Sequence, residues 1–320
     1  MFASSYINSY FYIKIAIKKM INFEKHKRFE SEIDSCFTII IPTWNNISYL
    51  KLCLESIQNH SSYQHQIIIC INEGLDGTKE WVENETNYDY IYAKNNIGIC
   101  YALNACRSLI NSDYVVYAND DMYFLPNWDK AILNKIEYIK RSNSAENNYF
   151  MLSSTLIEPS GNNPCVVVKD YGDSIETFKK KELLNEYSKL NREDWKGSTW
   201  PPVLLPLDCW DLVGGMSVEF HPGMYSDPDL SKKIYDLGVR CFIGIGDSLV
   251  YHFGCKSTKR VRKNKGRNMF VLKWGITSKT FTKFYLKRGE DFSKKEEANN
   301  TNLPTSKSIV QLFNRIKSCF

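Results

Sequence analysis

Two adjacent carboxylates directly follow a short apolar run in the first half of the chain. Asp120 and Asp121 come after residues 114–118, with Asn119 between the run and the pair. Neighbouring carboxylates repel each other unless a cation or a hydrogen-bond donor lies between them. Carboxylate oxygens suit hard cations such as Mg²⁺ and Mn²⁺, which commonly bridge substrate phosphates. The same three residues also fit a turn that caps a helix beginning near Pro126, so both interpretations stay open here.

The elements that must position this turn can be predicted from hydrophobic patterning. Short apolar runs occur at 37–41, 67–71, 90–93 and 114–118, and segments with helical spacing begin near 47, 78 and 97. This alternation predicts an α/β fold with a mostly parallel, doubly wound sheet. Ligands of such sheets bind beyond the carboxyl ends of the strands. Polar clusters stand at three of those ends, at 43–46, 72–78 and 119–121.

Composition favours a globular enzyme. The 320 residues are 43% hydrophobic and 24% charged, with a net charge of +5, which is ordinary for a soluble domain. Residues 256–267 contain seven basic and no acidic side chains. Such a run suits phosphates, an anionic membrane or nucleic acid, although a solvated segment is its commonest role. Because only charge points to nucleic acid, we expect no nucleic-acid partner.

The cysteines and the apolar segments bear on location. None of the ten cysteines forms a CxxC pair, and most lie in apolar segments, which predicts buried free thiols in a reducing compartment. No stretch reaches about 18 uninterrupted apolar residues, so a membrane span is not expected. We therefore expect a cytoplasmic protein, with peripheral membrane contact left open.

Domain boundaries follow from changes in composition. The folded domain is expected over 36–288, with a first half at 36–122 and a less regular second half at 123–288. In that second half, the apolar segments 241–245 and 249–251 predict two separate short strands. Residues 1–35 read as an amphipathic or poorly ordered leader. Residues 289–320 read as a polar linker with a short amphipathic tail helix.

Six polar segments stand in a characteristic order. They are Ile40-Ile-Pro-Thr-Trp-Asn-Asn46, Asn72-Glu-Gly-Leu-Asp-Gly-Thr78, Asn95-Asn-Ile-Gly98 with Asn104, Asn119-Asp-Asp121 with Pro126, Gly214-Gly215, and Ser226-Asp-Pro-Asp-Leu230. Over roughly residues 36–255 the chain thereby resembles the family 2 glycosyltransferases of the GT-A type. The resemblance implies a Rossmann-like sheet flanked by helices, with an irregular acceptor-side second half. It implies inverting, Mn²⁺- or Mg²⁺-dependent sugar transfer from a nucleotide-diphospho-sugar, with a UDP-sugar favoured. The acceptor, whether glycan, lipid or protein, stays open.

The resemblance assigns donor-binding roles to side chains on several loops. The family usually has Asp where Asn72 stands, and an Asn carbonyl can also accept a hydrogen bond from a nucleobase ring N–H. Lys259 and Arg260 would hold the diphosphate, although a solvated basic loop explains them equally well. The expected donor-binding residues are Pro42, Thr43, Asn45, Asn72, Glu73, Asp76, Asn96, Gly98, Asn119, Asp120, Lys259 and Arg260.

The metal motif of the family is Asp-x-Asp, and in this chain Asn119 occupies its first position. Asp121 therefore takes the metal-ligand position, and Asp120 is expected near the ribose or behind the metal ligands. His252 resembles the downstream histidine that supplies a further ligand in many members. A structural histidine packed beside aromatic residues is the equally weighted alternative.

Asp227 matches the acidic residue that serves the family as catalytic base. Inverting transfer needs a carboxylate to take the proton of the acceptor hydroxyl. The family usually has Glu-Asp where this chain has Ser226-Asp227. The alternative is acidic charge at a helix N-terminus, which the helix dipole favours. On the acceptor side we expect Trp200, Gly214, Gly215 and Asp229.

Two other functions compete with sugar transfer. A catalytically silent nucleotide-sugar or glycan-binding module is motivated by Asn72 and Asn119, which both replace expected acids. A nucleotidyltransferase would need a glycine-rich loop with a basic residue after the first strand. The loop at 43–46 has neither, so that activity ranks last.

Overall fold

The computed structural model describes residues 22–28, 35–141, 149–254, 264–293, 303–305 and 308–319. Its strands are β1 Glu24–His26, β2 Thr38–Trp44, β3 Gln66–Asn72, β4 Asp89–Ala93, β5 Tyr114–Tyr117, β6 Met122–Phe124, β7 Met151–Glu158, β8 Val166–Val168, β9 Trp195–Lys196, β10 Val203–Pro206 and β11 Phe242–His252. Its α-helices are α1 Ile47–His60, α2 Thr78–Glu85, α3 Gly98–Cys106, α4 Trp128–Arg141, α5 Lys180–Glu186, α6 Leu207–Leu212, α7 Ser226–Asp236, α8 Gly266–Trp274, α9 Ser278–Thr280 and α10 Ile309–Cys319.

One mixed sheet runs through the described part of the chain. Its main path is β1-β4-β3-β2-β5-β10-β7-β11-β6, with β8 on β7 and β9 on β11. Strands β4, β3, β2 and β5 are mutually parallel, whereas β10 runs antiparallel to both β5 and β7. The predicted α/β fold is thereby confirmed. The four parallel strands bring their carboxyl ends to one edge, where the polar turns begin.

Both faces of the parallel strands are buried, which explains their continuous apolar runs. Ile39 and Ile41 of β2 face a cluster that includes α1 and α4 side chains. Ile40, between them, faces the opposite cluster with side chains of α3 and α7. This two-sided packing fixes the strand ends from which the site residues project.

Strand β2 is longer than predicted, because Pro42 does not stop it. Pro42 pairs with Cys70 of β3 in parallel register, and β2 continues to Trp44. The pairing of β2 with β5 ends at Ile40, whose carbonyl accepts the Ala118 N–H at 3.1 Å. Alternate residues of a strand face the same neighbour, so the missing N–H of Pro42 faces β5 beyond the last paired residue. No strand hydrogen bond is lost there.

The sheet also begins earlier than the expected boundary near Cys36. Strand β1 pairs antiparallel with β4, so part of the segment expected to be a leader is an edge strand. The Arg28 N–H donates to Asp89 Oδ1 at 2.6 Å, which anchors the end of this segment. Three residues with charged or aromatic neighbours give too little hydrophobic periodicity to predict such a strand.

Strand β11 replaces the two short strands predicted at 241–245 and 249–251. Its pairing with β7 shifts register between Ile245 and Leu249, as at a β-bulge. Inside the shift, the Gly246 N–H donates to Asp194 Oδ1 at 2.9 Å. A Cβ on Gly246 would lie 1.7 Å from the Arg192 carbonyl oxygen, so glycine is required for this close approach. Gly246 lies in the gap between the two segments that were predicted as separate strands.

Eight cysteines of the described residues are free thiols, as predicted, and six of these eight are buried. No helix within the described ranges is long and apolar enough to cross a membrane.

Candidate active site

The turn after β2 and the turn after β5 meet through a buried hydrogen bond. Thr43 Oγ1 donates to Asp120 Oδ2 at 2.7 Å, and both side chains are at least 96% buried. The register of β2 against β5 places these residues side by side. Asp120 is thereby held in one orientation at the edge of the sheet. The carboxylate next in sequence, Asp121, projects from the same turn.

Glu73 connects the β3 turn to the β2 turn. Its Oε2 accepts hydrogen bonds from Trp44 Nε1 at 2.7 Å and Asn45 Nδ2 at 3.0 Å. The side-chain oxygen Oδ1 of Asn45 in turn accepts the Leu75 N–H at 2.7 Å. Asn45 and Glu73 both have positive φ, at 47° and 62°, which is uncommon for residues other than glycine. The hydrogen bonds between the two turns compensate for the energetic cost of these backbone conformations. Residues held in such conformations cluster at functional sites.

Asn72 has a different contact from the one expected of it. Its side-chain carbonyl accepts the Ile97 N–H at 2.9 Å, and the residue is only 4% exposed. This bond fixes the loop before α3, where Asn96 Oδ1 accepts the Gly98 N–H at 2.8 Å. Asn72 thus holds a neighbouring loop in place, and the partly exposed Glu73 lies nearer to solvent.

Asp76 also acts on backbone groups. Its Oδ2 accepts the Ile47 N–H at 2.8 Å at the start of α1, and its Oδ1 accepts the Thr78 N–H at 3.2 Å at the start of α2. Helix N-terminal N–H groups lack partners within their own helix, so Asp76 caps two helices at once. The predicted donor-binding residues of β2 and β3 therefore form one connected loop structure.

Asp121 and His252 meet at the end of β11, as their expected shared role requires. His252 pairs in register with Met122, and the Phe253 N–H donates to the Asp121 backbone oxygen at 3.1 Å. The Asp121 Oδ1 and His252 Nε2 atoms lie 3.4 Å apart. Both residues are more than 90% buried. Two side chains that are 131 positions apart in sequence thus lie close together at one edge of the sheet.

Glu158 at the end of β7 completes this group, and the sequence analysis missed it. Its Oε1 lies 2.7 Å from His252 Nδ1. A carboxylate only accepts hydrogen bonds, so Nδ1 carries the proton and Nε2 faces Asp121. Metal-ligating histidines are commonly oriented by a carboxylate in this way. The available signal was an acid directly after the strand-like segment 152–157.

Asp227 stands in the first turn of α7, and its side chain is partly accessible. Burial nevertheless raises the pKa of the Asp227 carboxyl from 3.8 to about 7. The turn before α7 packs against the start of α3, where the Ile99 N–H donates to the Pro222 oxygen at 2.8 Å. A Cβ on Gly98 would lie 2.6 Å from His221 Nδ1. The loop after β4 therefore contacts the segment that carries Asp227.

Asp229, expected on the acceptor side, is fully buried instead. Its Oδ1 accepts from Trp274 Nε1 at 2.8 Å and lies 3.0 Å from Lys273 Nζ. Both partners come from α8, which covers this part of α7. Asp229 therefore joins α7 to α8, and its expected role on the acceptor side stays a prediction.

The other residues predicted on the acceptor side, Trp200, Gly214 and Gly215, contact different parts of the molecule. Trp200 is half-buried beneath the Arg288 guanidinium, whose carbon lies 4.4 Å from the ring centroid. A Cβ on Gly215 would lie 2.4 Å from Asn104 Oδ1, whereas one on Gly214 would meet nothing within 4 Å. The Gly214-Gly215 turn thus packs directly on α3. The predicted diphosphate residues Lys259 and Arg260 lie outside the described residues.

Comparison with known proteins agrees with this arrangement. The sequence model of the glycosyl transferase family 2 matches residues 38–150, which include the turns after β2, β3 and β5. That match covers about a third of the length of this chain.

Two named relatives are glycosyltransferases. The chain is 37% identical over 89 residues to the abequosyltransferase RfbV of Salmonella typhimurium, covering 25% of this chain and 27% of that protein. It is 26% identical over 129 residues to the glycosyltransferase GlyA of Streptococcus pneumoniae, covering 38% of this chain and 18% of that protein. The matches thus span about a quarter or less of these relatives.

The solved structure of GalNAc-T7 with UDP, GalNAc and Mn²⁺ has a similar fold. It superposes with a TM-score of 0.51 at 11% identity, covering 80% of this chain and 51% of GalNAc-T7. At that identity the likeness concerns the fold alone. It agrees with the mixed α/β fold described above.

Proposed function

We propose that this chain is a metal-dependent, inverting glycosyltransferase. It moves a sugar from a nucleotide-diphospho-sugar, with a UDP-sugar favoured, to an acceptor hydroxyl. The observation that carries the proposal is the 3.4 Å approach of Asp121 Oδ1 and His252 Nε2 beside the Thr43–Asp120 pair in a family 2 domain.

The donor set of this site fits a divalent cation. Asp121 offers a carboxylate oxygen as a metal ligand. The Glu158 contact occupies His252 Nδ1, and His252 Nε2, the nitrogen that would bind the metal, lies toward Asp121. Among the described residues, no group of three or more His, Cys, Asp and Glu could hold a metal ion. Two protein ligands with substrate phosphates and water are typical of Mg²⁺ and Mn²⁺ sites that bind nucleotides. Such an ion, held by Asp121 and His252, would neutralise charge on the departing nucleoside diphosphate.

The nucleoside would lie over the joined turns after β2 and β3. Glu73 is partly exposed there, and its Oε2 is oriented by Trp44 and Asn45. A carboxylate can accept a ring N–H of the base, so we assign that role to Glu73 in place of Asn72. Asp120, held by Thr43, would accept a ribose hydroxyl.

Asp227 would serve as the general base. A base works best when its pKa lies near the working pH, and burial brings the Asp227 pKa to about 7. The carboxylate would take the acceptor hydroxyl proton as the oxygen attacks the anomeric carbon and the diphosphate leaves. Because the acceptor oxygen would displace the diphosphate directly, the anomeric centre would be inverted with one general base.

The experiment is turnover of UDP-sugars and GDP-sugars with added Mn²⁺ across an acceptor panel. We expect Asp121→Ala and Asp227→Asn to lower the rate about 100-fold or more. Asp211→Asn is the matched control, because Asp211 pairs with Arg107 on the surface, and it should retain full activity. Unchanged rates in both site variants would refute the assigned roles. Metal-dependent binding without turnover by the unmodified chain would instead favour a silent nucleotide-sugar or glycan-binding module.

We also propose a cytoplasmic location, which the free thiols support, because an oxidising compartment would favour disulfides.

A further inference from the structure

The tail helix α10 buries a polar face. Gln311 is only 4% exposed. Its Oε1 accepts the Thr277 N–H at 3.3 Å, and its Nε2 donates to Thr280 Oγ1 at 3.1 Å. Asn314 and Ser318, one and two turns further along the same face, are partly buried. The helix thus docks on the domain through amide and hydroxyl side chains.

The opposite face of α10 is apolar and exposed. Leu312, Phe313 and Ile316 are 50%, 60% and 50% exposed, and Val310 beside them is 67% exposed. At 100° per residue, the first three lie on the side of the helix away from Gln311. A surface helix of a globular domain ordinarily buries its apolar stripe and exposes its polar one. The orientation of α10 is the reverse, so its apolar face is available to a partner.

The neighbouring helix enlarges this apolar surface. Helix α8 packs against α10 and exposes Met269 and Leu272, at 37% and 44%. Clustered exposed apolar side chains of this kind mark interaction sites on soluble domains, whereas scattered ones do not. We call Val310, Leu312, Phe313 and Ile316 the tail-helix apolar face.

The charges around this face decide which partner it fits. Arg315 and Lys317 are exposed and flank the apolar residues. Residues 298–320 contain three basic and no acidic side chains, and the basic run 256–267 leads directly into α8. A second copy of the chain meeting this face symmetrically would place like charges against each other. Apolar side chains bordered by Lys and Arg are instead the pattern of helices that lie in an anionic membrane surface.

We propose that the tail-helix apolar face docks the protein on anionic lipid bilayers. Val310, Leu312, Phe313 and Ile316 would enter the boundary between headgroups and acyl chains. Arg315 and Lys317 would contact lipid phosphates. Since α10 is held to the domain through Gln311, docking would bring the whole sheet to the membrane surface.

Co-sedimentation of the full chain with lipid vesicles tests this. We expect binding to phosphatidylcholine vesicles that contain phosphatidylglycerol, and much weaker binding to phosphatidylcholine alone. Raising the salt from 0.05 M to 0.5 M should weaken binding, because salt screens the contacts of basic side chains with anionic lipid. The double variant Phe313→Glu, Ile316→Glu should lose at least about tenfold in affinity.

The matched control is Tyr138→Glu, an exposed aromatic residue on α4, which covers the other face of the sheet. It should leave vesicle binding unchanged. Both variants change exposed residues, and an unaltered melting temperature and donor turnover in solution would show that they fold. Equal vesicle binding by the double variant would overturn the proposal. So would a concentration-dependent dimer, detected by analytical ultracentrifugation, that the double variant abolishes without any lipid binding.

Discussion

Replacing Asp227 with asparagine should stabilise the protein in a pH-dependent manner. The folded-state pKa of Asp227 is raised from 3.8 to about 7 by burial. Between these values the folded state binds more protons than the unfolded state, so stability falls as pH rises. The Asp227 contribution is therefore fully present below pH 3.8 and is lost by the time pH passes about 7. Asparagine carries no charge and removes this loss.

The size of the effect follows from the shift. At about 1.36 kcal/mol per pKa unit, the full shift corresponds to about 4 kcal/mol as an upper bound. Because the Asp227 side chain is partly accessible, solvent screening reduces this, and we expect about 2 kcal/mol. We compare the free energy of unfolding of Asp227→Asn with that of the parent at each pH. This difference should be about 2 kcal/mol more favourable to the variant at pH 8 than at pH 4.

The measurement is urea unfolding of both proteins at several pH values between 4 and 8. Asp211→Asn provides the opposite sign, because hydrogen bonding to Arg107 lowers the Asp211 pKa. That variant should lack a stabilisation of less than about 1 kcal/mol, which is present above about pH 4 and is lost only as pH falls below it. Its stability difference from the parent should therefore stay nearly constant between pH 4 and 8. A stability difference for Asp227→Asn that does not change with pH would refute the reasoning. The pKa would then be unperturbed, and the case for Asp227 as a base would weaken with it.

Four further substitutions test other parts of the account. Glu158→Ala should weaken Mn²⁺ binding about 10- to 100-fold by calorimetry, because His252 loses the partner that orients it; unchanged affinity would remove Glu158 from the site. Gly98→Ala should lower the free energy of unfolding by more than about 2 kcal/mol, because φ is positive there and the added Cβ would clash with its neighbours. Gly214→Ala should lower it by only about 1 kcal/mol, because φ is also positive but the added Cβ would meet no atom within 4 Å. Lys273→Met should destabilise by about 3 kcal/mol, since it leaves a buried carboxylate without its cation. Equal losses for the two glycine variants, or a neutral Lys273→Met, would contradict these packing arguments.

The parallel half of the fold was predictable because its strands are buried on both faces. Residues 67–71, for example, form a short isoleucine-rich run that ends at a turn containing Gly74, which favours a buried strand over a helix. The turns that follow such strands must lie at one edge, so Asp121 and Glu73 could be placed together without coordinates. The family resemblance then added His252 as a partner of Asp121.

The remaining contacts depend on pairings between distant segments. Glu158 contacts His252 only because β7 and β11 run parallel and in register near their ends, which no local pattern fixes. Asp229 resembled an exposed acid at a helix start, and its burial is caused by α8, more than thirty residues later. The reversed orientation of α10 has the same origin, because an amphipathic pattern alone does not say which face packs inward.

The central claim is that Asp121 and His252 bind a divalent cation together with the donor diphosphate. Calorimetric titration of UDP into the protein, with and without Mn²⁺, tests it most directly and needs no acceptor. We predict that UDP binds at least about tenfold more tightly with Mn²⁺, and that Asp121→Ala abolishes this gain while the protein remains folded. GDP in place of UDP would show whether the favoured base is correct. Equal nucleotide affinity with and without Mn²⁺, or a gain that survives in Asp121→Ala, would contradict the account.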